Sequence, residues 1–308
     1  SVITPEETIV YQENEVTLPL EARTGTVAYY APTSSSPSAK KTPLILVPGL
    51  GLSSRMFTET PDGRKSWAAY FAEAGYPVYV YNDPAIMINP TLSYSGFNAN
   101  QWKAKQAWET WGMGSVYPEP YTNTRYPTSA FDKLVESFPK YTNFNALAST
   151  TPQGKGSGVQ ERSDSLDTQV KVKNLNALLA EVGNAVLMVH SMSGVTGAEA
   201  VRQDKAQRVK GLILFEPVGA PADAEDITQH FVRVPLLGLY GDFIEQRRQG
   251  NRKAAVEELV RQVNAQQGQA TMLDLPAEGI LGNTHLMSQD DNNGDIARRI
   301  IDWLNTHV

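Results

Sequence analysis

Short apolar runs recur along the chain at helix-length intervals. They lie at residues 44–47, 78–81, 185–189, 211–215, 236–240 and 271–275. Runs of this length are typical of strands that are buried on both faces of a parallel sheet. The intervening segments predict helices at 62–75, 195–202, 254–265 and 296–304, and a further helix that begins near 164. Strands that alternate with helices predict a doubly wound, mostly parallel α/β sheet.

Two regions depart from this alternation. At the N-terminus, residues 16–20 and 26–30 alternate as antiparallel strands do, and the Ser- and Pro-rich segment 32–41 predicts an exposed connection. Between the strand that ends near 83 and the helix near 164 lie about eighty residues, far more than a crossover requires. We therefore expect a single domain over 1–308 with an insertion at about 84–163.

The insertion is rich in aromatic residues, among them Trp102, Trp108 and Trp111. Sites in this fold class lie at the carboxyl ends of the strands, where such an excursion would emerge. The pattern predicts a cap over a pocket, with these three tryptophans as candidate substrate-binding residues. The alternative is that the aromatic side chains only pack the insertion onto the body of the domain.

Composition removes several kinds of chemistry. The 308 residues include 33 acidic and 27 basic residues, a net charge of −6, without the dense basic cluster of a nucleic-acid-binding surface. There is no cysteine, and the four histidines lack the paired spacing of a metal-binding helix, so we expect no metal and no other cofactor. No run reaches the ~18 apolar residues of a membrane span. The start at Ser1 favours removal of a signal peptide, and hence a secreted or periplasmic location.

A serine lies between the run at 185–189 and the helix at 195–202. A strand, tight turn and helix around a serine form a nucleophile elbow, in which Ser191 would attack and the amide of Met192 would bind an oxyanion. The usual Gly-x-Ser-x-Gly pattern has Val189 and Ser193 at its glycine places here. An ordinary turn with a helix-capping serine is the alternative.

The run at 44–47 ends in a glycine loop that contains Gly49 and Leu50. A hydrolase sheet supplies its second oxyanion donor at this position, and the amide of Leu50 is the candidate. A simple glycine turn is the alternative. A phosphate-binding loop is disfavoured because no Lys-Ser or Lys-Thr follows in the required pattern.

The chain offers one well-placed base and two acids. With the order nucleophile, acid, histidine, His285 is the candidate base, because it lies in the loop between the last apolar run and the final helix. His190, beside the serine, is expected to be structural. Asp242 follows the run at 236–240, and Glu216 closes the run at 211–215. Position alone leaves both carboxylates open.

Several longer motifs resemble a known family. They are ETPDGR at 59–64, HSMSG at 190–194, EPVG at 216–219, YGD at 240–242 and GNTHLMSQDDNN at 282–293. Together they resemble the α/β-hydrolase superfamily, and within it a small group of bacterial serine esterases of the Alcaligenes esterase type, whose triad acid is a glutamate after the sixth strand. The insertion matches least, and Pro48 replaces a histidine that commonly precedes the glycine of the oxyanion loop.

The resemblance implies a triad of Ser191, Glu216 and His285, with an oxyanion hole formed by the amides of Leu50 and Met192. We therefore expect a cofactor-free serine hydrolase that cleaves a small carboxylic ester or a lactone through an acyl-enzyme. The alternatives are an acyltransferase that uses the same triad and a non-catalytic binding module with a hydrolase fold.

Overall fold

A mixed eight-stranded sheet forms the centre of the molecule. The computed structural model describes residues 2–5, 8–11, 14–18, 20–33, 41–87, 99–142, 158 and 165–308. In chain order the strands are β1 (Val2–Ile3), β2 (Thr8–Tyr11), β3 (Asn14–Thr17), β4 (Gly25–Tyr30), β5 (Leu44–Val47), β6 (Val78–Asn82), β7 (Ile86–Met87), β8 (Ala99–Asn100), β9 (Lys140–Thr142), β10 (Ala185–His190), β11 (Val209–Phe215), β12 (Leu236–Tyr240) and β13 (Ala270–Asp274).

The central sheet has the order β1-β4-β6-β5-β10-β11-β12-β13. From β6 to β13 all neighbouring strands are parallel, and β4 alone runs in the opposite direction, since it is antiparallel to both β1 and β6. The expected mostly parallel α/β sheet is therefore confirmed, and each of the six apolar runs marks one of its strands.

Helices cover both faces of this sheet. They are α1 (Arg55–Thr58), α2 (Trp67–Glu73), α3 (Ala104–Trp111), α4 (Phe131–Glu136), α5 (Leu166–Val182), α6 (Ser193–Arg202), α7 (Ala224–Asp226), α8 (Gly250–Ala265) and α9 (Asn293–His307). Side chains of α2 and α9 share one apolar cluster with alternate strand residues, and side chains of α5, α6 and α8 share the opposite cluster. None of the helices in the described ranges has the length and apolar composition of a transmembrane segment.

The N-terminal strands differ from the expectation. The strand predicted at 16–20 ends at Thr17, and Leu20–Arg23 form a 3-10 helix. The Arg23 guanidinium donates to the carbonyl oxygen of Leu18 at 3.0 Å, directly after the end of this strand. β3 pairs with β2 in a separate small sheet, whereas β4, the strand predicted at 26–30, joins the central sheet. Most of the connection predicted at 32–41 lies outside the described residues.

The helix expected from position 62 begins later, at Trp67. The Ser66 hydroxyl caps it by accepting from the amide of Ala69 at 3.2 Å. The carboxylate of Asp62, where the helix was expected to begin, pairs instead with Arg64 at 2.7 Å. An acid close to a helix start is therefore a weaker signal than a serine whose hydroxyl reaches the first turn.

The insertion is described at 84–87, 99–142 and 158. Its chain forms a three-stranded antiparallel sheet of order β7-β9-β8, together with α3 and α4. Its backbone contacts the loop before α9, since the amide of His285 donates to the carbonyl oxygen of Trp111 at 2.9 Å and the amide of Arg125 donates to that of Gly282 at 2.8 Å. The described part of the insertion therefore packs beside the segment that carries the candidate base.

Candidate active site

The turn between β10 and α6 is centred on Ser191. This residue has a φ of 56°, in the left-handed region that residues with a Cβ rarely adopt. Its amide donates to the carbonyl oxygen of Phe215 on the neighbouring strand at 3.1 Å. Backbone strain of this kind persists only where the surrounding structure enforces it, and it is frequent at functional sites.

Both departures from the Gly-x-Ser-x-Gly pattern are accommodated nearby. Opposite Val189, α6 carries Gly197, and a Cβ placed there would lie 2.8 and 2.9 Å from the two methyl carbons of Val189. The close approach of strand and helix is thus kept, with the glycine on the helix. The Ser193 hydroxyl donates to the carbonyl oxygen of Pro48, which ties the elbow to the loop after β5.

That loop packs directly against the elbow. A Cβ at Gly49 would lie 2.6 Å from Nδ1 of His190 and 3.1 Å from Cβ of Ser191, so only glycine allows this approach. The Trp102 indole N–H donates to the carbonyl oxygen of Leu50 at 2.8 Å and so fixes the loop. We find no protein acceptor for the amide of Leu50 or of Met192 among the described residues.

Glu216 follows β11, the sixth strand across the sheet, and has a φ of 41°. Its carboxylate accepts from Arg247 at 2.6 and 3.0 Å, from the amide of Gly241 at 2.7 Å and from Nδ1 of His285 at 2.7 Å. The side chains of Glu216 and Arg247 are each 1% exposed. Burial alone would raise the pKa of Glu216, but the charge of Arg247 and the contact with His285 hold that pKa well below its usual range. The carboxylate is therefore ionised at neutral pH.

The bond to Glu216 fixes the tautomer of His285. An ionised carboxylate only accepts hydrogen bonds, so Nδ1 carries the proton and Nε2 is the basic nitrogen of the neutral ring. Burial lowers the pKa of His285 below its ordinary value against the opposing effect of Glu216, and the charges of Arg247 and Arg252 lower it further. A neutral imidazole can accept a proton at Nε2.

Asp242, the other candidate acid, serves the neighbouring loops. Its carboxylate accepts from the amides of Phe243 and Gly282, both at 2.7 Å, and its own amide donates to the carbonyl oxygen of Asn283 at 2.8 Å. The carboxylate that contacts the His285 ring is that of Glu216. The distance between Nδ1 of His285 and Oε1 of Glu216 is 2.7 Å. It lies within the range of about 2.6–3.2 Å that a hydrogen bond between these groups requires.

Buried Asp290 fixes the loop that carries His285. Its carboxylate accepts from the side-chain amide of Asn283 at 3.0 Å, and from the backbone amide and hydroxyl of Thr284 at 2.7 and 2.8 Å. Burial raises the pKa of Asp290 to about 7 although these bonds oppose the shift. The loop that carries the candidate base is therefore stabilised by hydrogen bonds to one of its own side chains.

His190 contacts both the backbone and the ring of His285. It is fully buried, its Nε2 hydrogen-bonds the carbonyl oxygen of His285 at 2.9 Å, and the two ring centroids lie 4.3 Å apart. Burial lowers the pKa of His190 well below its ordinary value, and neighbouring His285 adds to this. A neutral His190 that donates from Nε2 contributes to the position of the His285 backbone.

One cavity of about 260 Å³ joins the candidate residues. Its lining includes Ser191, His285, Leu50, Met192, Trp102 and Trp111. Trp108 lies elsewhere, because its ring packs edge to face on Tyr117 and Phe131 and its indole N–H donates to the carbonyl oxygen of Glu119 at 3.2 Å. Of the three tryptophans proposed to contact substrate, the structure places Trp102 and Trp111 at the cavity and Trp108 in the core of the insertion.

Sequence reasoning missed Arg247 and Gly197. Arg247 pairs with the carboxylate of Glu216, 31 positions earlier in the chain. The only indication of this pair in the sequence is that an acidic residue at the end of an apolar strand needs a partner. Gly197 could have been sought from Val189, because a bulky residue at an elbow requires a small one on the facing helix. In neither case does local pattern identify the partner.

Comparisons with known proteins agree with this architecture. No protein-family model matches the chain. A solved structure described as a novel bacterial esterase superposes with a TM-score of 0.75 at 24% identity, over 100% of this chain and 93% of that one. A curated protein of Fungal sp. (strain ATCC 74256), described as a probable secreted lipase, is 27% identical over 183 residues, which are 59% of this chain and 46% of that protein. This chain thus spans about half the length of its curated relative.

The structural likeness covers the whole of this chain, whose central sheet is the mostly parallel one described above. The chain therefore has the α/β-hydrolase fold, and the resemblance read from its motifs is confirmed at that level. A fold hosts many activities, so activity has to be argued from the site.

Proposed function

We propose that the protein is a serine hydrolase that cleaves a carboxylic ester, or a lactone, through an acyl-enzyme. The observation that carries the proposal is the hydrogen bond of 2.7 Å between Glu216 and Nδ1 of His285, in a cavity that also presents Ser191. That bond leaves Nε2 of a neutral imidazole to act as general base for the serine. The esterase and lipase descriptions of the two similar proteins support the same reaction class.

The first half-reaction forms the acyl-enzyme. Oγ of Ser191 attacks the carbonyl carbon of the ester while its proton passes to Nε2 of His285. The negative charge that develops on the carbonyl oxygen is bound by the amides of Leu50 and Met192. Glu216 stays ionised and stabilises the imidazolium. Collapse of the intermediate breaks the bond between the carbonyl carbon and the alcohol oxygen, and His285 returns the proton to the leaving alcohol.

The second half-reaction repeats these steps with water. His285 removes a proton from water, the resulting oxygen attacks the acyl carbon, and the oxyanion forms again. Collapse releases the carboxylic acid, and Ser191 regains its proton from His285. In a lactone the leaving alcohol stays attached to the acyl group, so the product is a hydroxy acid. Secretion, which the description of the fungal relative supports, would place this reaction outside the cytoplasm.

Covalent labelling of the wild-type protein and of variants at Ser191 and Ser193 tests the proposal. A fluorophosphonate should label the wild-type protein and Ser193→Ala, and it should not label Ser191→Ala. Ester turnover of Ser191→Ala should fall by about a thousandfold or more, because the nucleophilic oxygen is lost, and the fold should stay intact, because no core volume is removed. Ser193 is the matched control, since its hydroxyl is held by Pro48. Loss of labelling in Ser193→Ala with labelling kept in Ser191→Ala would contradict the assignment.

Product analysis with a competing alcohol separates hydrolysis from acyl transfer. If water is the acceptor, the free acid should be the main product in the presence of the alcohol. A dominant new ester would identify an acyltransferase instead.

A further inference from the structure

The cavity is chemically divided. Apolar side chains, including Trp102 and Trp111, form one part of its lining, and Arg247, Gln249 and Arg252 form another. The three polar residues come from the connection after β12 and from the first turn of α8. Two guanidinium groups in the lining of so small a cavity call for anionic partners, because a partly buried cation is costly unless it is paired.

Arg247 already has its partner. Its two terminal nitrogens donate to both oxygens of Glu216, and Nε and Nη2 donate to the carbonyl oxygen of Asp242 at 3.1 and 2.6 Å. The Glu216–Arg247 pair is therefore close to neutral as a unit. The positive charge of Arg247 is not available to a ligand without loss of this pair.

Within the described residues, Arg252 has no such partner. Its one hydrogen bond in the described part of the chain is from Nη1 to Oε1 of Gln249, at a long 3.5 Å, and no carboxylate there lies within 4.0 Å of its guanidinium. Burial lowers its pKa, which shows that the charge loses solvation. By contrast, Lys253 pairs with Asp274 at 2.7 Å.

The position of Arg252 also favours a bound anion. It lies in the first turn of α8, where the helix dipole adds positive potential. Arg252 lines the same cavity as Ser191 and the candidate base His285. A ligand whose anionic group pairs with Arg252 would therefore also meet the reacting groups in the same cavity.

We propose that the cavity selects substrates with a carboxylate group, which pairs with Arg252 while the ester lies against Ser191. The preferred substrate is then an anionic ester, such as the half-ester of a dicarboxylic acid or an ester of a hydroxybenzoate. The proposal rests on the proposed function, because that function places the ester in this cavity. The neutral Gln249 beside Arg252 adds a hydrogen-bonding group without opposing the charge.

Two pairs of substrates test the preference and show which side of the ester carries the anion. The acyl pair is mono-4-nitrophenyl adipate and its primary amide, and the alcohol pair is 4-carboxyphenyl butyrate and 4-carbamoylphenyl butyrate. Within each pair the size is nearly equal and only the charge differs. In the wild-type protein, kcat/KM for the anionic member should exceed that of the neutral member about tenfold or more in at least one pair.

Three variants assign the preference to Arg252. Arg252→Met keeps the aliphatic stem and should lower the ratio of anionic to neutral kcat/KM by about tenfold, and Arg252→Lys should keep part of it. Arg261→Met, on the exposed face of α8, removes an arginine that pairs with Glu258 and should leave the ratio unchanged. A wild-type ratio near one in both pairs, or a ratio that survives in Arg252→Met, would overturn the proposal.

Binding to the Ser191→Ala protein separates this proposal from the proposed function. Calorimetry with 4-phenylbutyrate and with its neutral amide measures selection of the carboxylate without turnover. Preference for the anion that falls about tenfold on adding Arg252→Met supports the anion site even if no ester is hydrolysed. Ester turnover with equal binding of acid and amide would refute the anion site and leave the hydrolase assignment standing.

Discussion

Replacement of Glu216 by Gln separates the proposed role of this carboxylate as triad acid from its contact with Arg247. Glu216 accepts from His285 and also neutralises Arg247, whose guanidinium is equally buried. As a triad acid it orients the imidazole and stabilises the imidazolium, so Glu216→Gln should lower turnover by roughly a hundredfold to ten-thousandfold. As the partner of Arg247 it prevents an unpaired buried charge. Loss of one member of such a pair costs about 3–5 kcal/mol of stability.

The double variant Glu216→Gln with Arg247→Met distinguishes the roles. Removal of both charges leaves no unpaired ion, so the free energy of unfolding should recover most of the loss seen in Glu216→Gln. Turnover should stay low, because no carboxylate faces Nδ1 of His285. Urea unfolding measures the first quantity, and kcat/KM on a nitrophenyl ester measures the second.

Two controls complete this test. Glu199→Gln disturbs another buried ion pair, with Arg202, outside the cavity lining, and should reduce stability with little change in kcat/KM. Asp242→Asn should cost less than tenfold in turnover, about 1.4 kcal/mol, since Asp242 holds loop amides instead of the ring. Recovery of wild-type turnover in the double variant would refute the reasoning, because Glu216 would then act only as a counter-ion for Arg247.

Two further measurements follow from the site. Gly197→Ala should lower the free energy of unfolding by ~1–3 kcal/mol, because the added methyl group would contact Val189. Adding Val189→Ala to this variant should relieve part of that loss. If the two changes were additive in a double-mutant cycle of unfolding free energies, the contact would be contradicted. Burial, Arg247 and Arg252 lower the pKa of His285 below 6.5, and the neutral ring is the proposed base. As the pH falls, kcat/KM should therefore decrease only below pH 6.5. A midpoint above pH 6.5 in the profile of kcat/KM against pH would exclude this assignment.

The strands were predictable because their physical requirement is local. A strand buried on both faces must be apolar at every position, so runs such as Leu44–Val47 and Leu236–Tyr240 can be identified from sequence. The strand predicted at 16–20 ends at Thr17, and the guanidinium of Arg23 in the following 3-10 helix contacts the carbonyl oxygen of Leu18. No local pattern encodes such a contact.

The candidate site was predictable to a similar degree. Ser191 and His285 could be located because each follows a strand at a defined place in the chain. The acid could not be chosen from position, since both Glu216 and Asp242 end strands of the sheet, and only contacts distinguish them. Trp108 lies one helical turn from Trp111 on α3, so periodicity alone assigns both to the same face. Packing within the insertion separates them.

The motifs at 59–64 and 282–293 dock on each other. The guanidinium of Arg64 donates to the carbonyl oxygens of Gln289 and Asp290 at 2.7 and 2.9 Å, and the Trp67 indole donates to that of Asn293 at 2.8 Å. Neither Arg64 nor Trp67 lines the cavity. Their physical task is therefore to hold the backbone of the loop that presents the base.

The insertion also forms hydrogen bonds with the loop that carries His285. The carbonyl oxygen of Trp111, the last residue of α3, accepts from the amide of His285, and Arg125 exchanges backbone hydrogen bonds with Gly282 and Asp291. If α3 moved away as a rigid lid, these bonds would break and the position of His285 would change with them. A catalytic base must keep its geometry to within a fraction of an ångström. We therefore infer that substrate enters without displacing the end of α3, and that this part of the insertion supports the base in addition to lining the cavity.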